Sequence, residues 1–291
     1  MSEKLLYHYT TMNTFYAMME HSLCSEKGNF HPKYLRMWAT NFAYQNDYTE
    51  CKLFLDRLEK SVEKYVKAKN IILPSESRKL LHESIFDMGI YTISFSEHDD
   101  DLTMWRGYGQ DGDGVSIGFD FSNLPMPPMA GCYDSRQEIE ASEIDREVLI
   151  QTDRPIKCKY VEPEDDFIPE ELVSKTVENL LSEDKDLKDL KQAFINYNNA
   201  PRYKHYKYEQ EKEWRIIKEG TLPQYKMVDN KHLVPYIEIK ISIDCIKKIV
   251  VGPCLSSKET VRNVKNYLLS KHLDIENVEI VESEIPYRNR F

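Results

Sequence analysis

The order of strand-like and helix-like segments is the feature that most constrains the fold of this chain. Residues 34–40, 90–96 and 236–241 alternate apolar and polar side chains with a period of two, which is typical of strands with one buried face. The amphipathic helical patterns do not separate the strands one by one, but are concentrated early in the chain and at about 169–198. A doubly wound parallel sheet needs a helix after nearly every strand. The sequence therefore predicts an α+β fold.

The same patterns place the individual elements. We expect strands at 5–10, 34–40, 90–96, 115–121, 156–161, 214–217, 236–241, 246–253 and 278–281. One helix is expected to be capped by Thr10 or Thr11, and a second, long helix is expected to end near residue 70. Further helices are expected at 75–88, 169–198 and 257–271. Residues 134–200 form the most polar part of the chain and are predicted to be a helical insertion. Because no clear linker is present, we expect a single domain over residues 1–291, with the insertion at about 134–200.

The composition is that of a folded protein, with 41% hydrophobic and 30% charged residues. No run of about twenty apolar residues is present, and the polar amino terminus does not resemble a signal peptide. We therefore expect a cytoplasmic protein that does not act in a membrane. The formal net charge of −10 argues against coating of nucleic acid through a general positive field, but it leaves a local basic groove open.

Neither the cysteines nor the acidic loop indicates a metal site. The six cysteines lie far apart without zinc-ligand spacing, and we interpret them as reduced structural thiols. The three consecutive aspartates at 99–101 point in different directions, so a solvated loop explains them better than a cation site. We assign no metal. The sequence contains no GxxxxGK[ST] phosphate-binding loop.

Two strand segments carry candidate site residues. Residues two apart share a face of a strand, so Glu211 and Glu213 point the same way, and Arg215 joins them if the strand starts early enough. This row is either an exposed edge with solvated charges or, if a cleft surrounds it, a site with two carboxylates and a guanidinium. Ser94 and Ser96 likewise share a face, as serines of an ordinary half-buried strand or as part of a site.

Three further features allow both a structural and a functional interpretation. His8 lies in an apolar first strand, where a buried histidine with one hydrogen bond needs no function. Residues 107–118 hold five of the ten glycines. This loop either admits a ligand, with Trp105 or Tyr108 as a stacking surface, or is a mobile hairpin. The basic and aromatic residues 202–208 suit a nucleotide or nucleic-acid contact, or a lysine-bearing amphipathic segment.

Six short motifs follow one another along the chain. They are His8-Tyr9-Thr10, Asn46-Asp47-Tyr48-Thr49-Glu50, Ser94-Phe95-Ser96, Met104-Trp105 to Tyr108, Gly114 to Phe119, and Glu211 to Arg215. Together they resemble a widespread bacterial family of domains of unknown function, over nearly the whole chain. More loosely, the layout is similar to the ADP-ribosyltransferase superfamily, whose members have Arg or His in the first strand, a Ser-x-Ser or Tyr motif in a middle strand and a Glu late in the chain, often as Glu-x-Glu.

His8, Ser94-x-Ser96 and Glu211-x-Glu213 match these three places. Two features depart from the pattern, because Phe95 stands where the toxins usually carry Thr and a long insertion precedes Glu211. The looser resemblance implies a mixed β-sheet core with flanking helices and a helical insertion.

The resemblance also implies NAD as a substrate. His8 would bind its ribose hydroxyl and nicotinamide amide. Glu213 would stabilise the oxocarbenium-like transition state, and Glu211 would orient or deprotonate the nucleophile. Further NAD-binding residues would be Tyr9, Thr10, Ser94, Ser96, Trp105, Tyr108 and Arg215.

The implied function is transfer of ADP-ribose from NAD to a protein or nucleic-acid acceptor. Such an enzyme would act as a toxin or in phage defence, with an antitoxin or regulatory partner. One alternative is an NAD glycohydrolase with water as the acceptor. The other is a non-catalytic defence protein that binds a nucleotide or nucleic acid through residues 202–207 and Trp105.

Overall fold

The computed structural model of the protein describes most of the chain. The described residues are 4–24, 34–47, 49, 51–74, 81, 89–122, 124, 148–150, 154–219, 222–228, 231–255, 258–273 and 275–288. The helix expected at 75–88, apart from Leu81, lies outside them, as do the first residues of the expected insertion, 134–147.

The strands and helices occur in mixed order along the chain. The strands are β1 (Leu6–Thr11), β2 (Tyr34–Asn41), β3 (Ile90–Ser96), β4 (Gly114–Phe119), β5 (Val148–Ile150), β6 (Ile156–Lys157), β7 (Lys159–Val161), β8 (Tyr203–His205), β9 (Glu213–Glu219), β10 (Gln224–Val228), β11 (His232–Ser242), β12 (Ile246–Val251) and β13 (Glu279–Glu282). The α-helices are α1 (Met12–Cys24), α2 (Lys52–Ala68), α3 (Leu102–Tyr108), α4 (Glu170–Leu180), α5 (Lys185–Asn199) and α6 (Lys258–Ser270). This mixture confirms the α+β class.

Local sequence accounts for most of these elements. The Thr11 hydroxyl accepts a hydrogen bond from the Thr14 backbone N–H at 3.0 Å, as expected for the cap of α1. The single strand expected at 156–161 is wrong, because Cys158 separates β6 from β7, and these two strands pair with β9 and β8 respectively. Part of the expected glycine-rich loop is the helix α3, and β5, β8 and β10 were not predicted.

Eleven strands form one mixed sheet, and β7 and β8 form a separate pair. The main path runs β10-β11-β2-β3-β1-β4-β12-β13, while β5 joins β11, and β9 joins both β3 and β6. Pairing is parallel for β5 with β11 and for β12 with β13, and antiparallel elsewhere in this sheet. The region expected as a helical insertion contributes β5 and β6 to the main sheet as well as helices α4 and α5.

Strand register divides the central sheet into a polar and an apolar face. Thr40 pairs with both Tyr236 and Thr92, and Ser94 pairs with Arg215, so these side chains lie on one face. The alternate residues lie on the other face and form the main core with α1 and α6. This core includes Leu35, Met37, Ala39, Ile93, Phe95, Ile216, Ile237 and Ile239 from the strands, and Phe15, Met18, Met19, Val264 and Leu268 from the helices.

A second core covers one end of the polar face. The α2 side chains Phe54 and Leu58 pack with Val173 and Val177 of α4, and Ile90 of β3 belongs to the same cluster. The helices α2 and α4 therefore bury this end of the face, while the rest of it is available for a cleft.

The sheet splits along one edge of β3. On that edge β2 pairs through Asn41 with Tyr91 and through Thr40 with Thr92, whereas β1 pairs only through Tyr7 with Ser96. The opposite edge of β3 is paired with β9 from Ile90 to Ser96. Between Thr92 and Ser96 the first edge therefore has no strand partner among the described residues, and β1 and β2 separate.

The described helices include none that is both long and apolar enough to cross a membrane. Cys51, Cys158 and Cys245 are buried thiols, and Cys254 is a partly exposed thiol. Cys132 and the side chain of Cys24 lie outside the described part of the chain.

Candidate functional site

A cavity of about 170 Å³ lies on the polar face, at the split beside β3. Eight sequence-predicted residues line it: His8, Tyr9, Ser94, Ser96, Tyr108, Glu211, Glu213 and Arg215. Residues from the first strand, from a middle strand and from the late glutamate segment thus meet at one cavity. This convergence is the arrangement that the functional interpretation of the three motifs requires.

His8 fills part of the gap between the separating strands. Its Nδ1 donates a hydrogen bond to the Ser94 carbonyl oxygen at 2.9 Å, an oxygen on the stretch of β3 that lacks a strand partner. A backbone carbonyl left without a donor would cost free energy, so this bond has a structural role. Burial lowers the pKa of His8, with a smaller opposing effect of the Ser94 hydrogen bond. The ring is therefore neutral at pH 7, and Nε2 carries the lone pair that can accept a hydrogen bond.

Four charged side chains form a buried cluster at the other end of the cavity. The Lys204 Nζ lies 2.5 Å from Glu211 Oε2 and 2.6 Å from Glu213 Oε2. Arg215 binds Glu213 through two nitrogens, with Nε 2.7 Å from Oε1 and one terminal nitrogen 3.1 Å from Oε2. Lys204, Glu213 and Arg215 are each at most 5% exposed. The cluster is formally neutral, because two carboxylates face two cations.

Uncharged groups complete the coordination of this ion cluster. The Tyr108 hydroxyl donates to Glu211 Oε1 at 2.7 Å, and the Glu213 backbone N–H donates to the Tyr160 hydroxyl at 2.7 Å. A further guanidinium nitrogen of Arg215 donates to the Pro201 carbonyl at 2.8 Å. These bonds fix the orientation of the charged groups, because buried polar atoms are costly when they lack partners.

The charges in the cluster hold each other in the ionised form. Burial alone would raise the pKa of Glu213, but Arg215 and Lys204 outweigh it and lower the pKa to about 2. Burial would likewise lower the pKa of Lys204, yet Glu213 and Glu211 raise it above its ordinary value. Burial also raises the pKa of Tyr108. At neutral pH Glu213 is therefore a carboxylate, Lys204 an ammonium and Tyr108 a neutral phenol.

The backbone explains how two neighbouring glutamates enter one cavity. Glu211 ends a 3-10 helix over 206–211, Lys212 is left-handed with φ of 45°, and Glu213 begins β9. Glu213 and Arg215 share a strand face as predicted, whereas Glu211 precedes the strand, so the predicted continuous row of three is wrong. Both glutamates are buried, and the interpretation of this segment as an exposed edge with solvated charges is also wrong.

The two serines of β3 have different surroundings. Ser94 lines the cavity and is half-buried, and its carbonyl is bound by His8. The fully buried Ser96 hydroxyl donates to the Glu211 carbonyl at 2.7 Å and accepts from the His98 N–H. Ser96 therefore positions the glutamate segment against β3.

Two predicted binding residues do not reach the cavity wall. Trp105 is fully buried, its Nε1 donates to Asp100 Oδ1 at 2.6 Å, and its ring packs edge-on against Tyr9 at 4.8 Å. It therefore has no free face for stacking, and its predicted ligand contact is corrected to a core role. Thr10 is buried in β1 and does not line the cavity.

The acidic loop is structural rather than simply solvated. Asp101 caps α3 by accepting from the Thr103 and Met104 N–H groups. Asp100 accepts from Trp105 Nε1, and Asp99 lies 3.2 Å from Lys248. The solvated-loop interpretation therefore does not describe Asp100 and Asp101, whereas the Asp99 side chain is 48% exposed. Within the described part of the chain, no group of three or more His, Cys, Asp or Glu residues could hold a metal.

Sequence reasoning missed Lys204, which holds the two glutamates together. Its segment was interpreted as a lysine-bearing amphipathic segment or as a nucleotide or nucleic-acid contact, but β8 directs the Lys204 side chain inward, where it is 5% exposed. Tyr160 was missed as well. A buried lysine looks like any other lysine in a single sequence, so only the position of β8 beside the start of β9 identifies it.

Residues 104–216 match the model of a family described as a protein of unknown function, DUF2971. The match is to less than half of the chain. It supports the similarity to a bacterial family of domains of unknown function, and it includes Tyr108, Lys204, Glu211, Glu213 and Arg215 but not His8. No curated protein and no solved structure matches the chain.

Proposed function

We propose that this protein cleaves the nicotinamide–ribose bond of NAD and transfers ADP-ribose to a macromolecular acceptor. The observation that supports the proposal most is that His8 and the Glu211/Glu213 pair, far apart in the sequence, line one cavity at the split of the sheet. The resemblance of the three motifs to the ADP-ribosyltransferase layout supplies the identity of the substrate.

Glu213 has the coordination needed to act on the reacting ribose. Bond cleavage develops positive charge at the anomeric carbon, which a fixed carboxylate stabilises more in the transition state than in the ground state. A carboxylate offers about four lone-pair positions, and the nitrogens of Arg215 and Lys204 occupy three of those of Glu213. Among the described residues, no further donor occupies the fourth position, which is left for a ribose hydroxyl, and the low pKa of Glu213 keeps the group charged.

Glu211 and His8 suit the two supporting roles. Glu211 is the more accessible of the two glutamates, at 9% against 3%, and we assign it to the incoming nucleophile. The neutral His8 ring offers Nε2 as an acceptor for a ribose hydroxyl, because Nδ1–H is bound to Ser94.

The size of the cavity limits which part of NAD it encloses. At about 170 Å³ it is smaller than the ~300–1,000 Å³ of ordinary small-molecule pockets. We infer that it takes the nicotinamide and its ribose, and that the remaining phosphates and adenosine lie along the open polar face.

A non-catalytic nucleotide-binding protein is the second candidate. The observation that favours it is that all four charges in the ion cluster are paired with one another. The same pairing is expected of a buried ion cluster that has only a structural role. The buried position of Trp105 removes one of the contacts expected for such a binder. An NAD glycohydrolase would use the same site with water as the acceptor.

Incubation with NAD labelled in the adenylate part separates these functions. Label on a macromolecule indicates transfer, free labelled ADP-ribose indicates hydrolysis, and unchanged NAD with measurable binding indicates a non-catalytic protein. Candidate acceptors are supplied as a lysate with and without nuclease treatment. Expression toxicity that is lost when the site residues are substituted would support the proposed toxin or defence role. Relief of this toxicity by co-expression of a protein encoded beside it would identify an antitoxin.

The Glu213→Gln variant is expected to lose NAD cleavage at least a hundredfold, because an amide cannot offset the developing charge. Glu209→Gln is the matched control, since Glu209 is an exposed glutamate of the same segment, 3.6 Å from Lys212. Glu213→Gln removes a negative charge that neutralises the buried Lys204 and Arg215 and so can destabilise the fold. Circular dichroism therefore checks that the variant is folded. His8→Ala, which leaves the ion cluster intact, should also lose cleavage. Full turnover in both site variants would refute the proposed site.

A further inference from the structure

Two residues that line the cavity contact a lysine on β10. The Lys226 Nζ donates to the Thr40 hydroxyl at 3.2 Å, and it lies 5.7 Å from the centre of the Trp38 ring and 6.0 Å from that of Tyr236. Trp38 and Thr40 both line the cavity that contains His8. Lys226 therefore stands at the opposite end of the same cleft from the ion cluster.

Lys226 differs from Lys204 and Arg215 because its charge is not offset. Among the residues the structure describes, no carboxylate oxygen lies within 4.0 Å of its Nζ, and its contacts are a hydroxyl and two aromatic rings. Burial lowers the pKa of Lys226, and no neighbouring charge counteracts this effect. A half-buried ammonium without a counter-ion is costly, so an anion that entered the cleft would be stabilised here.

Trp38 supplies a second unsatisfied donor at the same place. Its Nε1 atom is buried and has no acceptor among the described residues. A buried N–H without a partner costs free energy, and native structures usually reserve such groups for a ligand or an ordered water. Because Lys226 lies over the ring that carries this N–H, the two donors are close together.

We propose that Lys226 and the indole N–H of Trp38 form an anion site that binds a phosphate group of the nucleotide lying in this cleft. The inference rests on the proposed function only in taking the cleft as the ligand site, and it does not require turnover. Lys204 and Arg215 cannot serve in this way, because their charges are bound to Glu211 and Glu213. The cleft then has a neutral ion cluster for the ribose at one end and an uncompensated cation for phosphate at the other.

The test measures binding of ADP-ribose and of inorganic pyrophosphate to the full chain by calorimetry at two salt concentrations. We expect Lys226→Gln to weaken ADP-ribose binding at least tenfold and to reduce its salt dependence, because a charged contact is lost. Trp38→Phe should weaken it severalfold. The control is Lys240→Gln, since Lys240 also lies over an aromatic ring, Tyr34 at 6.0 Å, but outside the cavity.

The outcomes distinguish this inference from the proposed function. If Lys226→Gln binds ADP-ribose as tightly as the wild-type protein does, the anion site is refuted, even if the protein cleaves NAD. Failure of the unchanged protein to bind either phosphate compound overturns it as well. Binding that depends on Lys226 without any NAD cleavage supports the anion site and refutes the enzyme. If NAD is cleaved, Lys226→Gln should raise KM with little change in kcat, and an unchanged KM counts against the site.

Discussion

Replacement of Lys204 by methionine tests whether the buried ion cluster forms in solution. Lys204 is bound to two carboxylates at 2.5 and 2.6 Å and is almost inaccessible. The substitution keeps the aliphatic stem, but among the described residues it leaves Glu211 without a cation and Glu213 with only Arg215. Removal of one member of a buried ion pair costs about 3–5 kcal/mol, because the remaining charge is buried without a partner.

The pKa of Glu213 gives a second measure of the same interaction. Its decrease from 4.5 to about 2 is the net of burial, which raises the pKa, and of the two cations, which lower it further, and it corresponds to roughly 3 kcal/mol in favour of the ionised form. Because Lys204 supplies part of this and also binds Glu211, we expect Lys204→Met to lower the free energy of unfolding by about 3 kcal/mol at pH 7.

The effect should depend on pH in a defined direction. The pKa of Glu213 is lower in the folded protein than in the unfolded chain, so the cluster stabilises the fold above about pH 4.5. This contribution is lost as the pH falls toward 2. The difference between the unchanged protein and Lys204→Met should therefore be largest near pH 7 and should decrease below pH 4.5.

The assay is equilibrium unfolding in urea, followed by tryptophan fluorescence and circular dichroism at several pH values. Lys175→Met is the matched control, because Lys175 is 63% exposed in a surface pair with Glu171, and such pairs contribute at most about 0.5 kcal/mol. A loss below about 1 kcal/mol for Lys204→Met, or a loss equal to that of the control, would show that the buried cluster does not form as described.

Further predictions concern α3, which carries Tyr108 into the site. Gly107→Ala should stabilise the protein by up to about 1 kcal/mol, because alanine has a higher helix propensity than glycine and the added methyl group meets no atom within 4 Å. Gly109→Ala should destabilise it by about 1–3 kcal/mol, because the new Cβ would lie 2.5 Å from the buried Trp105 ring. Asp101→Ala should cost about 0.5–2 kcal/mol, since it removes the cap of α3. Thermal unfolding measures all three, and equal effects of the two glycine variants would contradict this description of α3.

Periodicity was sufficient to predict the strands that build the cleft. The strand predicted at 90–96 is β3 as observed, and that at 34–40 is β2 within one residue. Most residues of both strands alternate, because one face packs on the main core and most of the other face is polar. The short strands β5 and β8 have too few residues to show a period, and their existence depends on the partners that they meet in space.

Burial explains why several single-residue interpretations were wrong. Glu211, Glu213 and Lys204 are hydrophilic in the sequence, but they are buried because they neutralise one another. Trp105 was expected to meet a ligand, but an aspartate five residues earlier satisfies its indole N–H and allows full burial. Composition and spacing contain no information about such partners.

The sequence by itself determined the α+β class, the strand faces and the residues with suitable chemistry, because periodicity and side-chain type are local properties. The tertiary structure alone decided that β1 and β2 share one edge of β3 and separate there, which creates the cleft. It also decided that Lys204 joins the two glutamates whereas Lys226 keeps an uncompensated charge. These outcomes depend on contacts between residues far apart in the chain, and the energy of a buried charge is set by such neighbours.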